Sequence, residues 1–186
     1  MKILQLNIWG GRLGLPIKNL INREKPDIVC FQEATKVEGG KGYVFYELTE
    51  IQQDTNFEYC HFSPSFDWKL MKRKAQTGLA TMSRLPFVHT DNTFIHLKYV
   101  TDFDIIDTSN NIQSLQHITV AHGGEQLHIL NHHGHHIPQH KDGNDETKRQ
   151  CRIIVDYIEK LKGPIVLCGD FNLRSESKSL QLINSK

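Results

Sequence analysis

The sequence has no uninterrupted apolar run long enough to cross a bilayer, and its first apolar stretch is broken at Gln5 and Asn7. That excludes a membrane-spanning helix and a signal-peptide pattern, so a soluble, cytoplasmic protein is expected. Neither sign of charge is in excess: 22 Lys and Arg stand against 21 Asp and Glu, a net +1 with histidine neutral. A global electrostatic case for nucleic acid is therefore excluded. Lys69, Lys72, Arg73 and Lys74 are a candidate local patch, read here as a solvated loop. Cysteine is sparse. Cys30, Cys60, Cys151 and Cys168 show no C-x-x-C spacing and read as reduced core residues. No internal repeat or low-complexity linker divides the 186 residues, which points to a single domain, 1–186.

What is present is a set of short apolar runs that end in polar groups. Ile165-Val-Leu-Cys168 is too short for a helix and suits a strand buried on both faces. Gly169 then lets the chain turn, and period-two spacing aims Asp170 and Asn172 to one side. Alone, Asp-x-Asn reads as an Asx turn. Three further runs change that balance: Lys2 to Trp9 carries Asn7 at its end, Pro26 to Glu33 ends in a carboxylate, and Leu127 to Gly134 finishes in Asn131, His132 and His133. Four strand ends bearing carboxylates, carboxamides and imidazole are hard to assign to turn chemistry alone.

Five ordered motifs carry a resemblance: Leu6-Asn7-Ile8-Trp9, Cys30-Phe31-Gln32-Glu33, Thr77-Gly78-Leu79-Ala80 through Ser83-Arg84-Leu85-Pro86, Asn131-His132-His133, and Gly169-Asp170-Phe171-Asn172. The sequence resembles the endonuclease/exonuclease/phosphatase superfamily, which includes deoxyribonuclease-I-like enzymes. The resemblance implies an α+β fold, a four-layer α/β/β/α sandwich of two packed mixed β-sheets. It also implies a phosphoesterase acting on phosphodiester or phosphomonoester bonds through an activated water. Carried onto the matching positions, Glu33 with Asn7 would hold Mg²⁺ or Mn²⁺, Asp170 would orient or deprotonate the water, His133 would donate to the phosphate, and Asn7 and Asn172 would hold it. The partner so implied is a phosphate-ester substrate, a nucleic acid among the candidates.

Two departures qualify the expectation. Where many members have Asn-Thr-His-Leu, this chain has Asn131-His132-His133-Gly134, and no histidine follows His140 to form a Ser-Asp-His-like motif. The last strands of the second sheet are expected to be missing, with self-association through the uncovered edge. The alternative is a truncated or degenerate member that keeps a metal or phosphate pocket without efficient catalysis.

Along the chain, helices are expected over 16–24 and 43–54 and after the cap Asn144, where Ile153, Ile154, Tyr157, Ile158 and Leu161 form an apolar face. A glycine-rich loop over 36–42 follows the Glu33 strand. Strands are expected over 57–62, 77–83 and 87–97, with a substrate-facing loop over 63–76 and another loop over 102–111. A hairpin, 115–121 with 126–132, turns at His122-Gly-Gly-Glu125. Five histidines between His132 and His140 invite a zinc reading, but their spacing is irregular and no thiolate joins them, so only His133 is assigned to the site.

Overall fold

The computed structural model describes residues 1–40, 45–105 and 112–185. Among these residues, eight strands form two four-stranded sheets. The first sheet orders β1 (Ile3–Asn7), β2 (Ile28–Val37), β4 (Arg73–Ser83) and β3 (Tyr59–Leu70), with β1 and β2 parallel and the other pairs antiparallel. The second orders β5 (Phe87–His96), β6 (Gln113–His122), β7 (Glu125–His133) and β8 (Ile165–Asp170), and only β7 with β8 is parallel. Both sheets are mixed, and their inner faces meet through Ile28, Cys30, Ile118, Val120, Ile129 and Cys168.

Helices cover the outer faces. Ile17 and Ile21 of α1 (Gly14–Glu24) and Leu48 and Ile51 of α2 (Leu48–Thr55) pack on Val29, Phe31, Ala80 and Met82 of the first sheet. On the second, α3 (Asp145–Ile158) buries Ile154 against Leu115 and Leu130, and Ile183 of α4 (Lys178–Asn184) joins the same cluster. The result is the expected four-layer α/β/β/α sandwich. Asn144 caps α3 as its side chain foretold, in a reciprocal pair with Thr147.

Several elements differ from the sequence reading. The stretch 63–76 is a long hairpin of β3 and β4, pairing Trp68 with Ala75 and Leu70 with Arg73. Its period-two signal is broken by Pro64 and by a register shift between Pro64 and Phe66, which is why it resembles a loop. The basic run is then hairpin surface. Lys74 pairs with Asp67 at 2.9 Å, Lys69 with Asp102 at 3.4 Å, and Arg73 donates to the carbonyls of Glu38 and Gly40. β2 does not end at Glu33 but runs on to Val37. The expected helix at 43–54 begins at Leu48, and its first residues, 43 and 44, lie outside the described residues, as do 41–42 and 106–111 of the expected loops.

No helix among the described residues is long and apolar enough to cross a membrane.

Between the sheets runs a buried polar chain. Gln5 donates to Gln32 at 2.5 Å, Gln32 to Asn131 Oδ1 at 2.6 Å, and Asn131 to the carbonyls of Phe31 and Ala80. Gln116 continues it, accepting from Thr81 and donating to Ser63. Each buried group is satisfied, so the chain holds the two sheets in one relative position at little net cost.

Candidate active site

β1, β2, β7 and β8 deliver their polar groups to one end of the sandwich. Asn7 closes β1, His133 closes β7, and Asp170 closes β8. Glu33 reaches the same place by a different route. The register between β2 and β4 shifts between Phe31 and Ala34, and Glu33 takes a left-handed backbone (φ +53°). This bulge turns a mid-strand carboxylate out of the ladder, a costly conformation typical of functional sites. Asn172 is also left-handed (φ +55°), and its N–H donates to Asp170 Oδ1 at 3.0 Å. The Asx turn is therefore real and at the same time places both side chains in the site. Gly134 permits the close packing beneath it: a Cβ there would lie 2.4 Å from the carbonyl oxygen of Phe171.

The Asn7 carboxamide is the centre of the cluster. Its Nδ2 donates to Glu33 Oε1 and to Asp170 Oδ2, each at 3.0 Å, while its Oδ1 accepts from the N–H of Trp9. Asn172 Nδ2 donates to His133 Nε2 at 3.1 Å, and Glu33 Oε1 stands 3.8 Å from the same nitrogen. All five residues proposed from the sequence thus converge.

Electrostatics separates their roles. Burial alone would raise the pKa of Asp170. The Asn7 amide and the N–H of Asn172, with the charge of Lys141, outweigh it and hold the carboxyl below its ordinary value, hence ionised. Burial lowers the pKa of His133, against the opposing pull of Glu33 and Asp170, so the ring is neutral near pH 7.

The other histidines of the 132–140 segment disperse. His132 is buried and donates to the carbonyl of Ser114 at 2.9 Å, with burial pushing its pKa down to about 4. His135 packs edge-on against the His96 ring, His136 lies against Asn172, and His140 stands 3.9 Å from Asp142. Among the described residues, no group of three or more His, Cys, Asp or Glu side chains could by itself hold a metal ion. The donor set nevertheless suits a hard cation that keeps several waters, because Glu33 and Asp170 converge on one small group.

Sequence reasoning missed what flanks the cluster. On one side is a cavity of roughly 270 Å³ lined by Glu33, His133, Phe66, Phe103 and Leu79, in which the Phe66 and Phe103 rings stack at 4.3 Å. On the other is a more polar cavity of roughly 560 Å³ with Asn7, Asp170, Asn172, Lys141 and Arg174 in its walls. Phe103 and Lys141 sit on loops, where no periodicity marks them.

Two mixed sheets packed face to face, with carboxylates, amides and an imidazole gathered at their shared end, define the class of α/β/β/α sandwich proteins with a polar site at the sheet ends. The chain belongs to the Endonuclease/Exonuclease/phosphatase family, whose sequence profile matches residues 4–186. Among solved structures it is similar to an endonuclease/exonuclease/phosphatase from Beutenbergia cavernae, at 19% identity and a TM-score of 0.73 over 98% of this chain and 52% of that one. It is similar also to the human Nocturnin catalytic domain with bound sulfate anion, at 20% identity and a TM-score of 0.67 over 100% of this chain and 69% of that one. D. rerio TDP2 complexed with single strand DNA product is a further neighbour, at 13% identity and a TM-score of 0.65 over 99% of this chain and 64% of that one. The chain spans about half the length of the first of these. A search of curated proteins returned no match.

Proposed function

We propose that this chain is a phosphoesterase that hydrolyses phosphodiester or phosphomonoester bonds by attack of an activated water. The observation that carries the reading is the convergence of Glu33, Asp170, Asn7, Asn172 and His133 on one point, with Asn7 Nδ2 bonded to both carboxylates. Glu33, with Asn7 beside it, is the proposed holder of Mg²⁺ or Mn²⁺, which when bound would offset negative charge on the phosphoryl oxygens. Asp170, ionised and fixed by two hydrogen bonds, orients the water and accepts its proton. Asn172, its NH₂ on His133 Nε2 and the Gly134 carbonyl, holds the imidazole beside the phosphate without adding negative charge. His133, whose Nε2 accepts from Asn172, is the proposed hydrogen-bond donor to the phosphate through Nδ1.

A nucleic-acid substrate is supported by the complex of D. rerio TDP2 with single strand DNA product, and anion binding by the sulfate bound to the Nocturnin catalytic domain. The stacked Phe66 and Phe103 offer a flat apolar wall to a ring next to the phosphate.

One observation favours a second reading, a pocket that binds without efficient turnover. The site's only imidazole within reach of Glu33 among the described residues, His133, is held by an amide, with no aspartate fixing it as a base. Assay of the purified protein against bis-p-nitrophenyl phosphate, p-nitrophenyl phosphate and a single-stranded oligonucleotide, each with Mg²⁺, Mn²⁺ or chelator, decides between them. Metal-dependent release of product is expected. Binding of substrate with no release under any metal would establish the second reading.

A further inference from the structure

The segment between β7 and α3 contributes a cation that the five-residue cluster does not account for. Lys141 Nζ lies 2.9 Å from Asn172 Oδ1 and 3.0 Å from His136 Nδ1, and His136 Nδ1 is itself 3.1 Å from Asn172 Oδ1. These three contacts fit only one arrangement of protons. A lysine ammonium has donors and no acceptor, so His136 Nδ1 must accept from it. A nitrogen that accepts from an ammonium has no proton left for Asn172, so Lys141 is the group that donates to Asn172 Oδ1.

That donation has a consequence at the far end of the same carboxamide. With its oxygen held by Lys141, Asn172 must present its NH₂ to His133 Nε2, at 3.1 Å, and to the carbonyl of Gly134, at 3.2 Å. Turned by half a rotation, the amide would set its oxygen against the carbonyl oxygen of Gly134, and two acceptors would face each other. Lys141 thus selects the polarity of Asn172 that holds the His133 ring.

Its charge is also available. The other cation lining this cavity, Arg174, is committed to Asp142 at 3.1 Å. Lys141 is bonded to an amide oxygen and an imidazole nitrogen rather than to a carboxylate. It is half-buried, and the N–H of Arg174 holds its carbonyl at 2.8 Å, so the ammonium is presented from an anchored backbone. A partly desolvated ammonium on a cavity wall beside a phosphate-type site is matched by an anion.

We propose that Lys141 is a positioning residue that fixes the Asn172 carboxamide with its NH₂ on His133 Nε2 and the Gly134 carbonyl, and that its ammonium makes the site's fixed positive contact with a phosphate oxygen. This assignment rests on the phosphoesterase reading for its catalytic consequence but not for its anion contact.

The test uses the whole chain as Lys141→Met, Lys141→Arg and wild type, with two readouts. The first is binding of inorganic phosphate by calorimetry, measured without and with Mg²⁺. The second is kcat and KM on bis-p-nitrophenyl phosphate. Expected is a loss of roughly ten- to a hundredfold in phosphate affinity and in kcat/KM for Lys141→Met. Lys141→Arg, which keeps charge and donors, should recover to within a few-fold, a rescue that a merely structural lysine would not require. Thermal midpoints of both variants should stay near wild type; should Lys141→Met fold poorly, Lys141→Gln repeats the comparison, expected to lose phosphate affinity while keeping a donor for Asn172. Phosphate affinity and kcat/KM unchanged in Lys141→Met would overturn the assignment while leaving the phosphoesterase reading intact. Lys141-dependent phosphate binding with no hydrolysis by wild type would do the reverse. Absence of both phosphate binding and hydrolysis in wild type would overturn both.

Discussion

Asp170 is where charge, geometry and chemistry meet at the scale of one residue. Two hydrogen bonds outweigh its burial and keep it ionised. Asp170→Asn keeps the shape and removes the charge, so turnover should fall by about 10²–10⁴-fold with the thermal midpoint little changed; retained turnover in a steady-state assay would move the proton-accepting role elsewhere. Glu33 is tested apart from chemistry, since Glu33→Ala should abolish the Mg²⁺ or Mn²⁺ binding heat seen with wild type. Equal heats in the two proteins would show that the ion sits elsewhere. His132 makes a different prediction, one of stability. Burial lowers its folded pKa from 6.5 to about 4, and His117 is lowered to about 4 in the same way. Between those values the unfolded chain is protonated where the folded chain is not. The stabilisation is therefore full above pH 6.5 and is lost as pH falls toward 4, by about 3 kcal/mol for His132. Denaturation midpoints measured from pH 7.5 to 4.5 should fall, and His132→Gln should flatten the slope only in part because His117 still titrates. A flat wild-type profile would contradict the burial argument.

At the scale of elements, the strands that carry the site also carry the polar chain between the sheets. Asn131 belongs to the sequence motif that points to His133, yet it is fully buried and bonded to Gln32 and to the carbonyls of Phe31 and Ala80. Its work is to lock β7 against β2 and β4. Asn131→Leu would leave those groups without partners and should cost about 2 to 4 kcal/mol in chemical denaturation. A change under 1 kcal/mol would mean water takes over the contacts. The same element shows why sequence reading succeeds and fails where it does. The β6–β7 hairpin was legible because two strand-like runs flank a His-Gly-Gly-Glu turn, and the start of α3 because Asn144 is followed by a partner at the right spacing. The β3–β4 hairpin was hidden by Pro64 and its bulge, and the bulge at Glu33 by an apolar run that gives no sign of a register shift. The convergence of the five proposed site residues was legible because each stands at or just past a strand end or a bulge, where a polar side chain is conspicuous. Lys141, His136 and Phe103 were not, since they enter the site from loops whose path depends on the folded sheets.

At the scale of the whole molecule, the two sheets present their β1 and β8 edges on the same side of the sandwich, where these strands pack on each other. Among the described residues each has one strand partner, β2 for β1 and β7 for β8. Both edges are short and largely apolar, Ile3-Leu-Gln-Leu-Asn7 and Ile165-Val-Leu-Cys-Gly-Asp170, and neither contains the lysine or proline that blunts an edge against pairing. Ile165, Val166 and Leu167 are each only half-buried, so apolar area accompanies the unpaired backbone. An edge of this composition favours strand addition by another chain, and a second copy is always at hand. The 186-residue chain should therefore self-associate, with a weight-average mass in sedimentation equilibrium that rises with concentration above that of one chain. Val166→Lys, on this edge and away from Asp170, should reduce the association without altering metal binding at Glu33. A strictly monomeric wild-type protein across the concentration range would show that side chains along β1 and β8 already shield the edge.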